Sequence, residues 1–67
     1  MSALWSMWVY DRRGDLWERF EGSEENLLEQ GVCITTLRGQ IAWRCSLRKN
    51  GKPVAECKHG VWKEAKP

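Results

Sequence analysis

QIAWRCSLRKNGKPVAECK, residues 40–58, decides the fold. Its first half alternates. Ile41, Trp43, Cys45 and Leu47 face one way, and Gln40, Ala42, Arg44, Ser46 and Arg48 face the other, as in a half-buried strand over Gln40–Arg48. Asn50-Gly51 follows within Lys49–Lys52. This dipeptide is the strongest short hairpin signal, because both residues accept the positive φ of a tight turn. Pro53 then opens a return strand, Pro53–Lys58, at the one position where its missing N–H costs no ladder bond. Two registers are open. A two-residue turn sets Leu47 opposite Val54 and Cys45 opposite Glu56. A three-residue loop places Cys45 and Cys57 on one face, in line with Trp43, and the apolar content favours this one.

Working outward, Val32–Leu37 is rich in β-branched residues and reads as a strand, joined to the hairpin by a tight turn at Arg38-Gly39. Residues 3–10 read as a strand with Ala3, Trp5, Met7 and Val9 on one face and Leu4, Ser6, Trp8 and Tyr10 on the other. Both faces are largely apolar, which suits a strand covered on both sides. Asp11–Asp15 is a turn with Gly14 for positive φ, and Leu16–Glu21 returns as the second strand. Ser23 caps a short helix over residues 24–30, with Glu24 and Glu25 where the helix dipole favours acids, Leu27 and Leu28 as its apolar side and Gly31 as its stop. His59–Glu64 adds a short edge strand or a turn of helix.

The order is β-β-α-β-β-β in one domain, residues 1–67. The expected class is α+β: a small antiparallel sheet (β-β-α-β-β plus a fifth, edge strand) with one short helix packed on one face. A small closed barrel is the alternative.

Sixty-seven residues bury a small core. The candidates to fill it are Trp5, Trp8, Trp17, Trp43, Trp62, Tyr10 and Phe20, of which three or four tryptophans suffice, leaving one or two as exposed contact anchors. Charge is divided along the chain. Residues 1–31 set Arg12, Arg13 and Arg19 against seven acids, net −4, and residues 32–67 set eight bases against Glu56 and Glu64, net +6. The total of +2 therefore hides a dipolar molecule. No stretch approaches the ~20 apolar residues of a membrane span, and Met1–Tyr10 is too short for a secretory core. Three cysteines are an odd number, which points to free thiols in a reducing, cytoplasmic compartment.

The residues argue against chemistry. Cys33, Cys45, Cys57 and His59 lack the short knuckle that zinc sites use, and small buried thiols on strands explain the cysteines better. His59 is the sole histidine, with no nucleophile and orienting partner beside it in sequence. No phosphate loop is present. The expectation is a non-enzymatic protein without metal or cofactor.

Two surfaces invite a partner. Trp8 and Tyr10, with Arg12, Arg13, Glu24 and Glu25 near them in the acidic half, suit docking on a larger intracellular protein or complex that the chain modulates or inhibits. In size and style such a chain resembles accessory and inhibitor proteins of phages and mobile elements. Arg44, Arg48, Lys49, Lys52 and Lys58 form a basic hairpin suited to nucleic acid, with Trp43 or Trp62 available for stacking. The run Trp43–Ala65 resembles the sheet-and-turn part of three-stranded DNA-arm and double-stranded-RNA-binding modules, in which a strand, an Asn-Gly-Lys turn, a return strand and a Lys-rich helix start follow one another; it lacks their long closing helix. Exposed strand edges also admit a homodimer.

Overall fold

Lys49–Lys52 closes as a two-residue turn, with φ of 54° at Asn50 and 84° at Gly51. That pair of positive values is the type I′ turn whose twist matches the strands it joins. The structure, a computed structural model, describes residues 4–37 and 43–65. It contains β1 (Trp5–Tyr10), β2 (Leu16–Glu21), α1 (Glu24–Leu37), β3 (Arg44–Lys49), β4 (Lys52–Lys58) and β5 (Val61–Glu64). All neighbouring strands are antiparallel, in the order β2-β1-β3-β4-β5. The sheet is open, with β2 and β5 at its edges, so the barrel alternative is set aside.

The β3–β4 register combines the two arrangements that the sequence left open. Lys49 pairs with Lys52 across the turn and Arg48 with Pro53, but the pairing then slips, so that Leu47 faces Ala55 and Cys45 faces Cys57. A bulge beside Pro53, where the chain has no N–H to offer, absorbs one residue. The tight turn is kept, and both cysteines still reach the core. The β4–β5 hairpin closes in the same way, with His59 at φ 55° and Gly60 at 81°. The edge strand expected within His59–Glu64 is thus Val61–Glu64.

One segment differs from the sequence reading. Val32–Leu37 is the second half of α1, not a strand, and Gly31 lies inside the helix rather than ending it. The five strands are therefore supplied by β5, with Val32–Leu37 withdrawn. The cause is tertiary. Leu27, Gly31 and Thr35, four residues apart, form the buried stripe of the helix, with Ile34 partly buried beside it. Val32, Cys33 and Thr36 point to solvent. Gly31 is required because the Trp62 indole lies against it. A Cβ there would overlap the ring and meet the Met7 sulfur at 3.2 Å. Trp62 Nε1 also donates to the Leu28 carbonyl at 2.9 Å. Thr35 Oγ1 donates to the Gly31 carbonyl at 2.7 Å and accepts the Gly60 N–H at 3.0 Å, tying the helix to the β4–β5 turn. The helix start follows the sequence: Ser23 Oγ accepts the Asn26 N–H at 3.3 Å. The Arg38-Gly39 turn and residues 40–42 lie outside the described residues.

The core beneath α1 consists of Met7, Val9, Leu27, Cys45, Leu47 and Cys57. Sulfur and aliphatic groups fill it, not tryptophan. Trp5, Trp8, Trp43 and Trp62 are half-buried and Trp17 is exposed. A layer this thin cannot enclose an indole on all sides, so the rings lie around the core with one edge in water.

Gly31→Ala should destabilise the fold by about 1–3 kcal/mol, the usual effect of overpacking. The same substitution at Gly22, which has open space around it, should stay within about 1 kcal/mol. Urea unfolding of both variants checks this.

Candidate binding surface on the open sheet face

Met7 and Val9 point under α1, so the alternate residues of β1 (Ser6, Trp8 and Tyr10) point to the face that no helix covers. Cross-strand partners share a face, and the register carries this assignment outward. Arg19 lies beside Trp8 from β2, and Glu21 beside Ser6. From β3, Arg44 pairs with Tyr10, Ser46 with Trp8 and Arg48 with Ser6. From β4, Lys58 pairs with Arg44 and Glu56 with Ser46; from β5, Lys63 pairs with Glu56.

Arginine covers the aromatic rings of this face. The Arg48 guanidinium carbon lies 4.2 Å from the centre of the Trp8 ring and that of Arg19 lies 5.3 Å from it. The Arg44 guanidinium carbon lies 4.1 Å from the centre of Tyr10. These distances suit cation–π attraction, worth about 0.5–1 kcal/mol each at exposed sites. The stacks fix the guanidinium planes. Arg48 Nη1 also donates to the Gly51 carbonyl at 3.3 Å, whereas its Nε is shielded from water and has no hydrogen-bond partner among the described residues. Arg44 Nη1 reaches Glu56 Oε2 at 3.2 Å in a partly exposed ion pair, worth no more than about 1 kcal/mol. Ser46 is buried between them. Beside the arginines, Pro53, Glu56, Lys58, His59, Val61 and Lys63 line an open depression of about 900 Å³.

The two residue sets of the sequence reading partly merge. Trp8 and Tyr10 from one and Arg44, Arg48 and Lys58 from the other lie on this single face. Arg12 and Arg13 sit apart, exposed in the β1–β2 turn, where Asp11 Oδ1 accepts the Arg13 N–H at 2.9 Å. Glu24 and Glu25 occupy the first turn of α1, in the other layer. Lys49 and Lys52 pair at the hairpin tip, and the Lys49 ammonium lies 5.5 Å over Trp5, a ring of the helix side. Lys58 also lies 5.2 Å from the centre of Trp43, against which His59 packs edge-on. Sequence reasoning missed Arg19, Glu56 and Lys63. The alternation of β2 could have placed Arg19 opposite Trp8, but the acidic half of the chain masked it as a stray base.

Cys45 and Cys57 are fully buried and face each other, both as free thiols, while Cys33 is exposed. Desolvation, and secondarily the nearby Cys57, pushes the Cys45 thiol up to about 12; burial raises Cys57 too, against the lowering effect of its contact with Thr35. Among the described residues no group of three or more His, Cys, Asp or Glu is placed to hold a metal ion, and no helix is long and apolar enough to cross a membrane.

Comparison with models of protein families, with curated proteins and with solved structures gives no match. The reading of function rests on the surface alone.

Native protein treated with a thiol reagent at neutral pH should react rapidly at Cys33 and slowly at Cys45 and Cys57, with all three equally fast in urea; mass spectrometry of the labelled sites checks this. Because the folded thiols keep their protons where unfolded ones lose them, stability should fall as pH rises from about 8.5 toward about 12. Cys45→Ala, though less stable at pH 7, should show a shallower decline in the same unfolding series.

Proposed function

We propose that the chain is a non-enzymatic binding domain that docks through its open sheet face on a larger protein and modulates or inhibits it, as a small accessory protein acting in the reducing cytoplasm. One observation carries this reading: Trp8 and Tyr10 on the uncovered face, stacked under Arg19, Arg44 and Arg48. Tryptophan, tyrosine and arginine are the three residue types most enriched in binding hot spots, and lysine is depleted there. Here the two lysines, Lys58 and Lys63, lie toward the β5 edge. Pre-stacked guanidinium groups also lose little side-chain entropy on binding, which favours affinity from a small surface. Their charge suits an acidic patch on the partner, and Glu21 and Glu56 offer it two acceptors.

A second reading has its own observation. The open face carries five bases, Arg19, Arg44, Arg48, Lys58 and Lys63, against two acids, Glu21 and Glu56. Such an excess beside aromatic rings suits single-stranded nucleic acid. Two features weigh against it: the rings that would stack on bases are already covered by guanidinium groups, and Glu56 lies in the middle of the basic strip.

Tagged protein should retain from lysate a protein that survives nuclease treatment. The double variant Arg44→Glu/Arg48→Glu, compared well below its own unfolding midpoint, which loss of the stacks should lower by several degrees, should bind it weaker by about 2 kcal/mol or more, about thirtyfold. Arg12→Ala/Arg13→Ala should alter affinity less than threefold. Retention unchanged in the double variant would remove this face from the site. If nucleic acid is the partner, the logarithm of affinity should fall by about 0.7 per phosphate contacted for each log unit of salt on single strands. A flat salt response excludes it.

A further inference from the structure

The β2 strand is an outer edge of the sheet, with no neighbour on its far side. Gly22 N–H donates to the Trp5 carbonyl at 3.4 Å, so Phe20 and Glu18, on the same side of the bulge, turn their backbone groups toward β1. In an antiparallel strand the alternate residues then turn theirs outward, which leaves the N–H and C=O of Arg19 and Glu21 on the open edge. The Arg19 N–H is held there by its neighbour, the Glu18 carboxylate, at 3.2 Å, a local bond in an exposed position that a strand carbonyl can replace.

We propose that the protein forms a two-fold homodimer in which β2 pairs antiparallel with β2 of a second copy, with Phe20 on the axis. Symmetry and charge select this register. A two-fold axis perpendicular to the sheet reverses the strand and keeps its faces, so each residue must meet one of the same face, and the axis must pass beside a residue rather than between two. Centred on Glu18, the dimer sets carboxylate against carboxylate; centred on Arg19, guanidinium against guanidinium. Such like-charge pairs are destabilising. Centred on Phe20, it sets Arg19 opposite Glu21 of the partner subunit and Glu21 opposite Arg19 of the partner subunit. These are the residues whose backbone groups face outward, so each pair exchanges both ladder hydrogen bonds and adds an ion pair above them. The bulge that displaces Trp17 between Leu16 and Glu18 lies beyond the paired stretch.

The dimer extends the five-stranded sheet across both copies, with the two helices on one side and the two Trp8–Arg19 stacks adjoining the seam on the other. Arg19 and Glu21 therefore belong to both surfaces. The paired edge is short and buries less than the about 1,200 Å² of a standard stable interface, so the association is weak. Sedimentation equilibrium from about 1 µM to about 1 mM should show a monomer–dimer equilibrium. Glu21→Arg, which places like charges opposite each other on both sides of the axis, should weaken it at least about tenfold. The charge-swapped pair Arg19→Glu/Glu21→Arg should restore it. In the wild-type protein at high concentration, the Arg19 and Glu21 amides should exchange hydrogen at least about tenfold more slowly than at low concentration. A monomer throughout the range, a dimer indifferent to Glu21→Arg, or rapid exchange at both amides in the dimer would overturn the proposal. None of these measurements depends on the partner bound by the open face.

Discussion

The Trp62 indole resting on Gly31 is the contact on which the rest of this structure depends. A helix that crosses a small sheet needs a place where backbone and ring approach closely, and the absence of one side chain at Gly31 provides it. The ring then covers Met7, its Nε1 satisfies the Leu28 carbonyl, and the β5 strand that carries it is drawn under the helix. Thr35 repeats the device one helical turn on, with a hydroxyl in place of a cavity: it joins the helix to the Gly60 N–H. Two side chains thus hold the fifth strand and the second half of the helix to each other. Neither is stable alone, since an isolated helix of 14 residues is marginal in water and a four-residue edge strand has a neighbour on one side only.

With the helix committed to one side, the other side of the sheet is left to side chains alone. Arginine supplies the cover that a second layer would otherwise give. Its stem and guanidinium plane shield the rings of Trp8 and Tyr10 while the charge stays in water. This accounts for a first strand that is apolar on both faces in a protein with only one covering layer. The charge division of the sequence is also recast by the fold. Acids gather along the helix start and bases on the open face, so the polarity runs through the thickness of the molecule more than along its chain.

The hairpins, the helix start and the alternation of β1 and β3 were legible because each depends on local chemistry: Asn50-Gly51, Gly14, Ser23 and a strict period of two. The second half of the helix was not. Gly31 has the form of a C-terminal stop, and Val32, Ile34, Thr35 and Thr36 have the composition of a strand. Only a distant residue, Trp62, makes glycine desirable inside the helix, and the Gly60 N–H, together with the Gly31 carbonyl, satisfies the buried threonine hydroxyl there. The open sheet face was half legible for a related reason. Trp8, Tyr10, Arg44, Arg48 and Lys58 were found, but as parts of two sets, because charge was read along the chain while register assembles it across strands. Ser6, Arg19 and Glu56 acquire meaning only when β2, β1, β3 and β4 are laid side by side.

The bulge beside Pro53 has a consequence for which changes of length this protein tolerates. A strand has parity: moving it by one residue exchanges inside for outside. The Asn50-Gly51 turn taken alone would leave Cys57 and Ala55 facing water and bring Glu56 into the core, and the bulge reverses that parity once, early in β4. Turn and bulge are therefore matched to each other in this sequence, the bulge taking up Val54. Loss of the bulge at unchanged chain length would turn Ala55 and Cys57 to water, whereas loss of the bulge together with Val54 would leave Arg48 opposite Pro53 and Leu47 opposite Ala55, with the core intact. The hairpin therefore tolerates a change of one residue at the bulge or in the loop, but not the sliding of one strand along the other by one residue.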